Sequence, residues 1–172
     1  MIFLSKKTSQ LNRDEFLKIL ILKEEEWKHG ISSQKKFFKK NVKKFDIHNL
    51  FFKSNKKKKL IGYTCFRVRH FMLNKKKMKY MLLDSIIVSK DYKKKNYGKK
   101  IMKINNIFIK KNRLPSFLFC TKKNSNFFKL FKWKLFPSKK FQIAYRVKKK
   151  QNLMYYNSNL MIKNINIISL TI

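Results

Sequence analysis

Acidic residues, glycine, proline, cysteine and arginine are all scarce in this chain of 172 residues. Eight Asp and Glu stand against 45 Lys and Arg, a formal net charge of +37. The two cysteines, Cys65 and Cys120, are single and far apart in sequence. They write neither a disulfide framework nor a CxxC metal motif, and they suit a reducing compartment. The three histidines, His29, His48 and His70, show no His-x-x-His spacing, so a metal centre is not expected. No apolar run approaches the roughly 18 residues that a membrane span requires. The opening Met1–Leu4 stretch is too short for a signal-peptide core, and Lys6 and Lys7 follow it closely. A cytoplasmic protein without membrane partners is expected.

What is present argues for a packed domain. Hydrophobic residues make up 44% and aromatic residues 15% of the chain, enough apolar material for a core. The length suits a single domain over residues 1–172, with about 157–172 as a C-terminal extension. The charge first suggests a phosphate-rich partner such as nucleic acid, a ribosome or an anionic membrane. Its make-up weakens that inference, because 40 residues are Lys and only 5 are Arg. Lys, Ile, Phe, Asn and Tyr, the residues of A/T-rich codons, supply more than half the chain, and there is a single Ala. Arg is the side chain that pairs bidentately with phosphates and guanine edges. Nucleotide bias therefore explains the Lys coat better than a nucleic-acid function does. A basic RNA- or ribosome-associated protein stays as the alternative, on segments such as Lys35–Lys40 that interleave Phe with Lys.

Asn12 with Glu15 three residues on forms a capping box, opening an apolar-rich helix to about Leu22, which Glu24–Trp27 continues or follows, with Gly30 ending the turn. Ser33 is the candidate cap of a second helix through Phe37, Phe38 and Val42. Strands are expected at Ile47–Phe52, Leu60–Phe71 and Met78–Val88, with turns at Ser54–Lys56 and Lys75–Lys77. The third strand has few polar breaks and reads as central and buried on both faces. Gly98–Lys111 has helical period, with Ile101, Ile104 and Phe108 on one stripe. A brief strand at Phe117–Cys120, a short helix at Ser125–Phe131 and late strands at Phe141–Val147 and Leu153–Tyr156 follow. Ile162–Ile172 is strand-like in composition. The order of elements predicts an α/β layer fold.

The informative segment lies between Leu82 and Trp133. A buried strand ends at Val88 and feeds Lys93-Lys94-Lys95-Asn96-Tyr97-Gly98-Lys99-Lys100, where the long helix starts. Backbone amides at such a helix N-terminus favour a phosphate, and the lysines add charge. This loop resembles the pyrophosphate loop of the GNAT superfamily of acyl-CoA N-acyltransferases, Gln/Arg-x-x-Gly-x-Gly/Ala. Lys93 replaces Gln/Arg, Asn96 replaces the first Gly, and Gly98 is kept. Asn is the non-Gly residue that best tolerates positive φ, so the turn can survive. Asn126–Trp133 resembles the family's Phe-Tyr-x-Lys-x-Gly-Phe/Trp segment, with Lys132 at the usual Gly. Leu60-Ile61-Gly62-Tyr63 resembles its hydrophobic-Gly-hydrophobic strand.

The resemblance, over roughly residues 10 to 156, implies an α/β (α+β) GNAT-like fold with a mixed, mostly antiparallel central sheet flanked by helices. It implies an N-acyltransferase that moves an acetyl group from acetyl-CoA directly to a primary amine, with no metal. Lys93, Lys94, Lys95, Asn96, Tyr97, Gly98 and Lys99 are then the cofactor-binding loop, and amides near Ile87 and Val88 hold the thioester carbonyl. Phe128, counted with the cofactor-binding residues, falls where many members have the Tyr that protonates the departing thiolate, and Phe cannot donate a proton. A GNAT fold without activity is the third possibility. Asp84, the acid within the central strand, is the candidate general base for the amine. The Glu24–Glu26 trio is read as a solvated helix end rather than a lure for a cationic acceptor.

Overall fold

The capping box at Asn12 is formed in the computed structural model of the chain, which describes residues 1–54, 59–73, 76–137, 141–143, 151–157 and 168–170. Asn12 Oδ1 accepts from the Glu15 amide at 2.8 Å, and the Glu15 carboxylate accepts from the Asn12 amide at 3.1 Å. Helix α1 runs Arg13–Glu26 from this cap. Its buried stripe is Glu15, Ile19, Leu22 and Lys23, together with Leu20, whereas Leu17 and Ile21 are each 49% exposed. Helix α2, Ile31–Asn41, starts one turn earlier than expected. Its N-cap is Gly30, at φ +81°, a conformation that costs a glycine least, and Ser33 lies inside the first turn.

Contacts divide the chain into two compact units, Met1–Arg67 with Asp84–Met102, and Val68–Leu83 with Lys103–Ile172. In the first unit, strand β1 (Ile2–Lys7) pairs antiparallel with β2 (Ile47–Phe52), from Ile2↔Phe52 to Lys7↔Ile47. Strand β2 pairs antiparallel with β3 (Leu60–Leu73), and β4 (Lys76–Val88) lies next to β3. Strand β1 was not expected. Its residues Ile2 to Leu4 are exposed at an edge, so no in-and-out alternation marks it. The core of this unit joins Ile19 and Leu22 of α1 to Leu50, Phe52, Leu60, Tyr63, Cys65 and Ile87 of the strands. Helix α3 (Tyr97–Asn112) comes close to β3 at Gly62, where an added Cβ would stand 2.4 Å from Ile101 Cδ1. Gly62 is thus the gap into which Ile101 packs.

The second unit contains the ends of β3 and β4 that face away from Arg67 and Asp84 in sequence. Strand β4 pairs in parallel with β5 (Ser116–Cys120) at Met81↔Ser116 and Leu82↔Phe117. Strand β5 pairs antiparallel with β8 (Asn152–Tyr156), which also pairs with the two-residue β6, Lys134–Leu135. Strand β9 (Ile168–Leu170) pairs with β3 and with β7 (Phe141–Ile143). Tyr80 to Leu83 are four successive buried residues, as a strand covered on both faces requires. Phe71, Tyr80, Phe117 and Phe136 meet edge to face with centroids 5.3–6.3 Å apart. Helix α4 is Lys122–Lys129, three residues earlier than expected. Lys76 and Lys77 belong to β4 rather than to a turn. Residues 55, 56, 75, 144–147, 162–167, 171 and 172, on which parts of the expected turns and late strands fall, lie outside the described residues.

A polar network runs through the first unit's core. His48, fully buried, meets Tyr63 Oη at 2.8 Å through Nδ1 and Thr8 Oγ1 at 2.8 Å through Nε2. Burial lowers the imidazole from 6.5 to about 4, against the opposing pull of Asp46. The unfolded chain therefore binds a proton that the folded chain does not. The part of the stability that depends on neutral His48 is expected to be full above about pH 6.5 and to fall as the pH drops toward about 4. At ~1.4 kcal/mol per unit the loss is on the order of 3 kcal/mol. Urea unfolding across this pH range measures it, and the slope shrinks in His48→Gln.

Candidate functional site

Two features of the first unit converge on chemistry, a pocket and a loop. The pocket, about 450 Å³, is walled by Trp27 from the end of α1 and Phe37 from α2. Gln34 fixes this corner, donating its side-chain amide to the Trp27 carbonyl at 2.9 Å. Asp84 and Ser85 of β4 and Lys23 of α1 also line the pocket. Asp84 Oδ1 accepts from Arg67 Nη1 at 3.0 Å, with the Arg67 side chain 4% and the Asp84 side chain 20% exposed. Ser85 Oγ lies 3.3 Å from Asp84 Oδ2. The candidate base therefore faces the pocket while one of its oxygens is held by a buried guanidinium.

Lys23 is a pocket-lining side chain that the sequence did not single out. It is 4% exposed, and its ammonium sits 4.8 Å from the Phe37 ring centroid and 5.7 Å from that of Trp27. Burial lowers its pKa, and Asp84 and Cys65 act in the opposite direction. No hydrogen bond or ion pair to its ammonium is present among the described residues. The signal was in the spacing. Glu15, Ile19, Lys23 and Trp27 are four apart and share one face of α1.

The loop follows β4 directly. A short 3₁₀ turn at Lys90–Tyr92 leads to Lys93, and Lys94 and Asn96 both take φ +61°. The Asn96 conformation is the one expected of a residue in place of Gly, and Lys94 adopts it as well. The Lys100 amide donates to the Asn96 carbonyl at 3.1 Å, closing the first turn of α3. The amides of Tyr97, Gly98 and Lys99 precede that bond and have no acceptor within the helix. Gly98 and Tyr97 are half-buried, and Lys94, Lys95 and Lys99 are exposed. Lys93 Nζ pairs with Glu26 at 2.7 Å, and Lys95 Nζ lies 5.8 Å from the Tyr92 ring centroid. Glu25 accepts from the Lys90 amide at 3.1 Å, and Glu24 from the His29 amide at 3.2 Å. The acidic trio thus ties α1 to the loop and to its own C-terminus, a structural role beyond the solvated end expected of it.

Ile87 and Val88 end β4 just before the loop. Ile87 is 1% exposed and belongs to the first unit's core, and Val88 is half-buried. The Ser89 amide donates to the Ile61 carbonyl of β3 at 2.9 Å. By the alternation of a regular strand, the Val88 amide points to the opposite edge of β4 and the Ile87 amide toward β3. The described pairing of β4 with β5 on that opposite edge is at Met81↔Ser116 and Leu82↔Phe117, and none is described at Val88.

Phe128 belongs to the second unit. It is 9% exposed, and its ring meets Phe127 and Trp133 edge to face at 5.4 and 6.5 Å. Asn106 fixes Trp133 through a 3.0 Å bond from the indole Nε1. Lys132 takes φ +66°, the left-handed conformation that a Gly would supply there. Among the described residues no group of three or more His, Cys, Asp or Glu is placed to hold a metal ion. Among the same residues no helix is long and apolar enough to cross a membrane.

No protein-family model matches this sequence, and no curated protein matches it. Solved structures do resemble it. Escherichia coli ElaA superposes with a TM-score of 0.65 at 13% identity, over 90% of this chain and 97% of that one. The E. coli GNAT family N-acetyltransferase YhbS, in complex with CoA, gives 0.65 at 7% identity, over 98% and 88% of the two chains. The PaiA N-acetyltransferase of Thermoplasma acidophilum, in complex with coenzyme A, gives 0.56 at 15% identity, over 92% and 100%. The mixed α/β architecture and these structures together establish that the chain has the GNAT acyl-CoA N-acyltransferase fold.

Proposed function

We propose that this protein is an N-acyltransferase that moves an acetyl group from acetyl-CoA to a primary amine. The observation that carries the proposal is the loop between β4 and α3. Its left-handed residues Lys94 and Asn96 turn the chain immediately before the amides of Tyr97, Gly98 and Lys99, which have no acceptor within the helix. That arrangement suits a pyrophosphate, because helix N-terminal amides and the helix dipole favour anionic oxygens. Lys94, Lys95 and Lys99 add positive charge around it, and Lys93 can join them only by leaving Glu26. Their pair is exposed and costs little to break. The residues present therefore fit the anionic part of the donor.

Acetyl-CoA supplies an acetyl group activated as a thioester. The outward amide of Val88 is the backbone donor for the carbonyl oxygen on which negative charge develops during transfer. Asp84, at the pocket, takes the proton that the attacking amine must lose, directly or through a water. Transfer is direct, with no residue of this chain acylated. Phe128 has no proton to donate to the departing thiolate. A thiol with an ordinary pKa near 8.5 leaves without a positioned acid. Calorimetry with acetyl-CoA and CoA is the test. The expected result is saturable binding in the micromolar range, and no binding at millimolar ligand would overturn the reading.

A further inference from the structure

Lys23 is an unusual residue to find in the pocket of an enzyme whose acceptor is a cationic amine. Lys23 and Arg67 are both buried, and among the described residues Asp84 is the one acid beside them in the pocket wall. The three carry a net positive charge when Lys23 is protonated. The Asp84 charge is already spent in part on Arg67 at 3.0 Å. An acceptor bearing only an ammonium would meet this cluster at a disadvantage. A group that brings a negative charge to the Lys23 ammonium would be stabilised. The ammonium already lines the pocket and has no hydrogen bond or ion pair among the described residues. Desolvation without a partner is costly, so a ligand anion there gains more than it would at the surface.

We propose that the acceptor is a small zwitterion of the amino acid type, its carboxylate held by Lys23 and its primary amine presented to Asp84. This rests on the reading of the pocket as the acceptor site. Trp27 and Phe37 flank the ammonium and offer flat apolar surface for the rest of the acceptor. The volume of about 450 Å³ accommodates a molecule of that size. The positive cluster has a second effect. It favours loss of the proton from the bound amine, which must be neutral to attack.

The test separates the carboxylate from everything else in the ligand. L-phenylalanine and L-phenylalaninamide, alike apart from that group, are titrated calorimetrically into the full chain, with and without saturating CoA. The acid is expected to bind ten- to a hundredfold more tightly than the amide, the worth of one charged hydrogen bond. Lys23→Met should erase the difference, and Lys23→Arg should keep most of it. Met fills similar volume and removes a desolvated charge, so the variant should melt no lower than the parent. Equal affinities in the parent, binding of neither ligand, or a preference that survives Lys23→Met would each overturn the proposal. Acetyl-CoA titrated on its own reports separately on the donor reading, so the two can fail independently. Should Lys23→Met not fold, the parent's acid-to-amide ratio and Lys23→Arg still decide the matter.

Discussion

Gly98→Asp is expected to lower the affinity for acetyl-CoA by at least a hundredfold, or about 2.7 kcal/mol. Gly98 is the second residue of α3, and its amide precedes the helix's first internal bond at Lys100. A carboxylate there places negative charge where the donor's pyrophosphate would be held, and like charges at close range in a partly buried site repel strongly. The same change is favourable for the helix, since an acid in the first turn complements the dipole and Gly is a poor helix former. Loss of binding without loss of thermal stability is therefore the expected pair of results. Gly98→Ala is the control, adding a Cβ without charge, and should lose much less. Unchanged acetyl-CoA affinity in Gly98→Asp would remove the loop from the donor site.

That loop was legible in sequence because its physics is local. A strand, a turn and a helix start leave their marks within about fifteen residues, and Asn96 could be read as a stand-in for Gly. The structure extends the same reading to Lys132, whose φ of +66° is again one that Gly would adopt at no cost. A chain with 3 Gly in 172 residues meets left-handed turns with Asn, Lys and Arg, and a motif search keyed to glycine sees little of it. The capping box at Asn12 and the buried run Tyr80–Leu83 were equally local. Strand β1 was hidden because an exposed edge strand imposes no alternation. Helix α2 was misplaced because Gly30, at φ +81°, caps by conformation rather than through a side chain. Lys23 was hidden for a different reason. Leu17 and Ile21 look more like a core face than Glu15 and Lys23 do, yet the helix turns the charged pair inward. Glu15 meets Lys6 there at 2.6 Å, and Lys23 meets the pocket, so tertiary structure overrode the apolar pattern.

Asp84→Asn should slow acetyl transfer by at least about a hundredfold if the carboxylate is the base, but the rate alone does not identify its role. Asp84 is the acceptor for Arg67 Nη1, and the Arg67 Nε is buried without a partner among the described residues. Removing the acid leaves a buried guanidinium unpaired beside Lys23. The expected cost is about 2–3 kcal/mol of folding stability, toward the lower end for a broken buried pair because Asp84 is partly exposed. An inactive Asp84→Asn protein could thus be a distorted one. The second change that separates the two roles is Arg67→Met. On its own it also breaks the pair, and combined with Asp84→Asn it removes both charges and leaves neither unpaired. If Asp84 serves only to neutralise Arg67, the double variant regains both stability and transfer. If Asp84 takes the proton, the double variant regains stability, measured by urea unfolding, while transfer, measured by thiol release, stays at the level of Asp84→Asn. The second outcome is the one expected, because the partly exposed carboxylate faces the pocket whereas the guanidinium behind it is sealed from solvent.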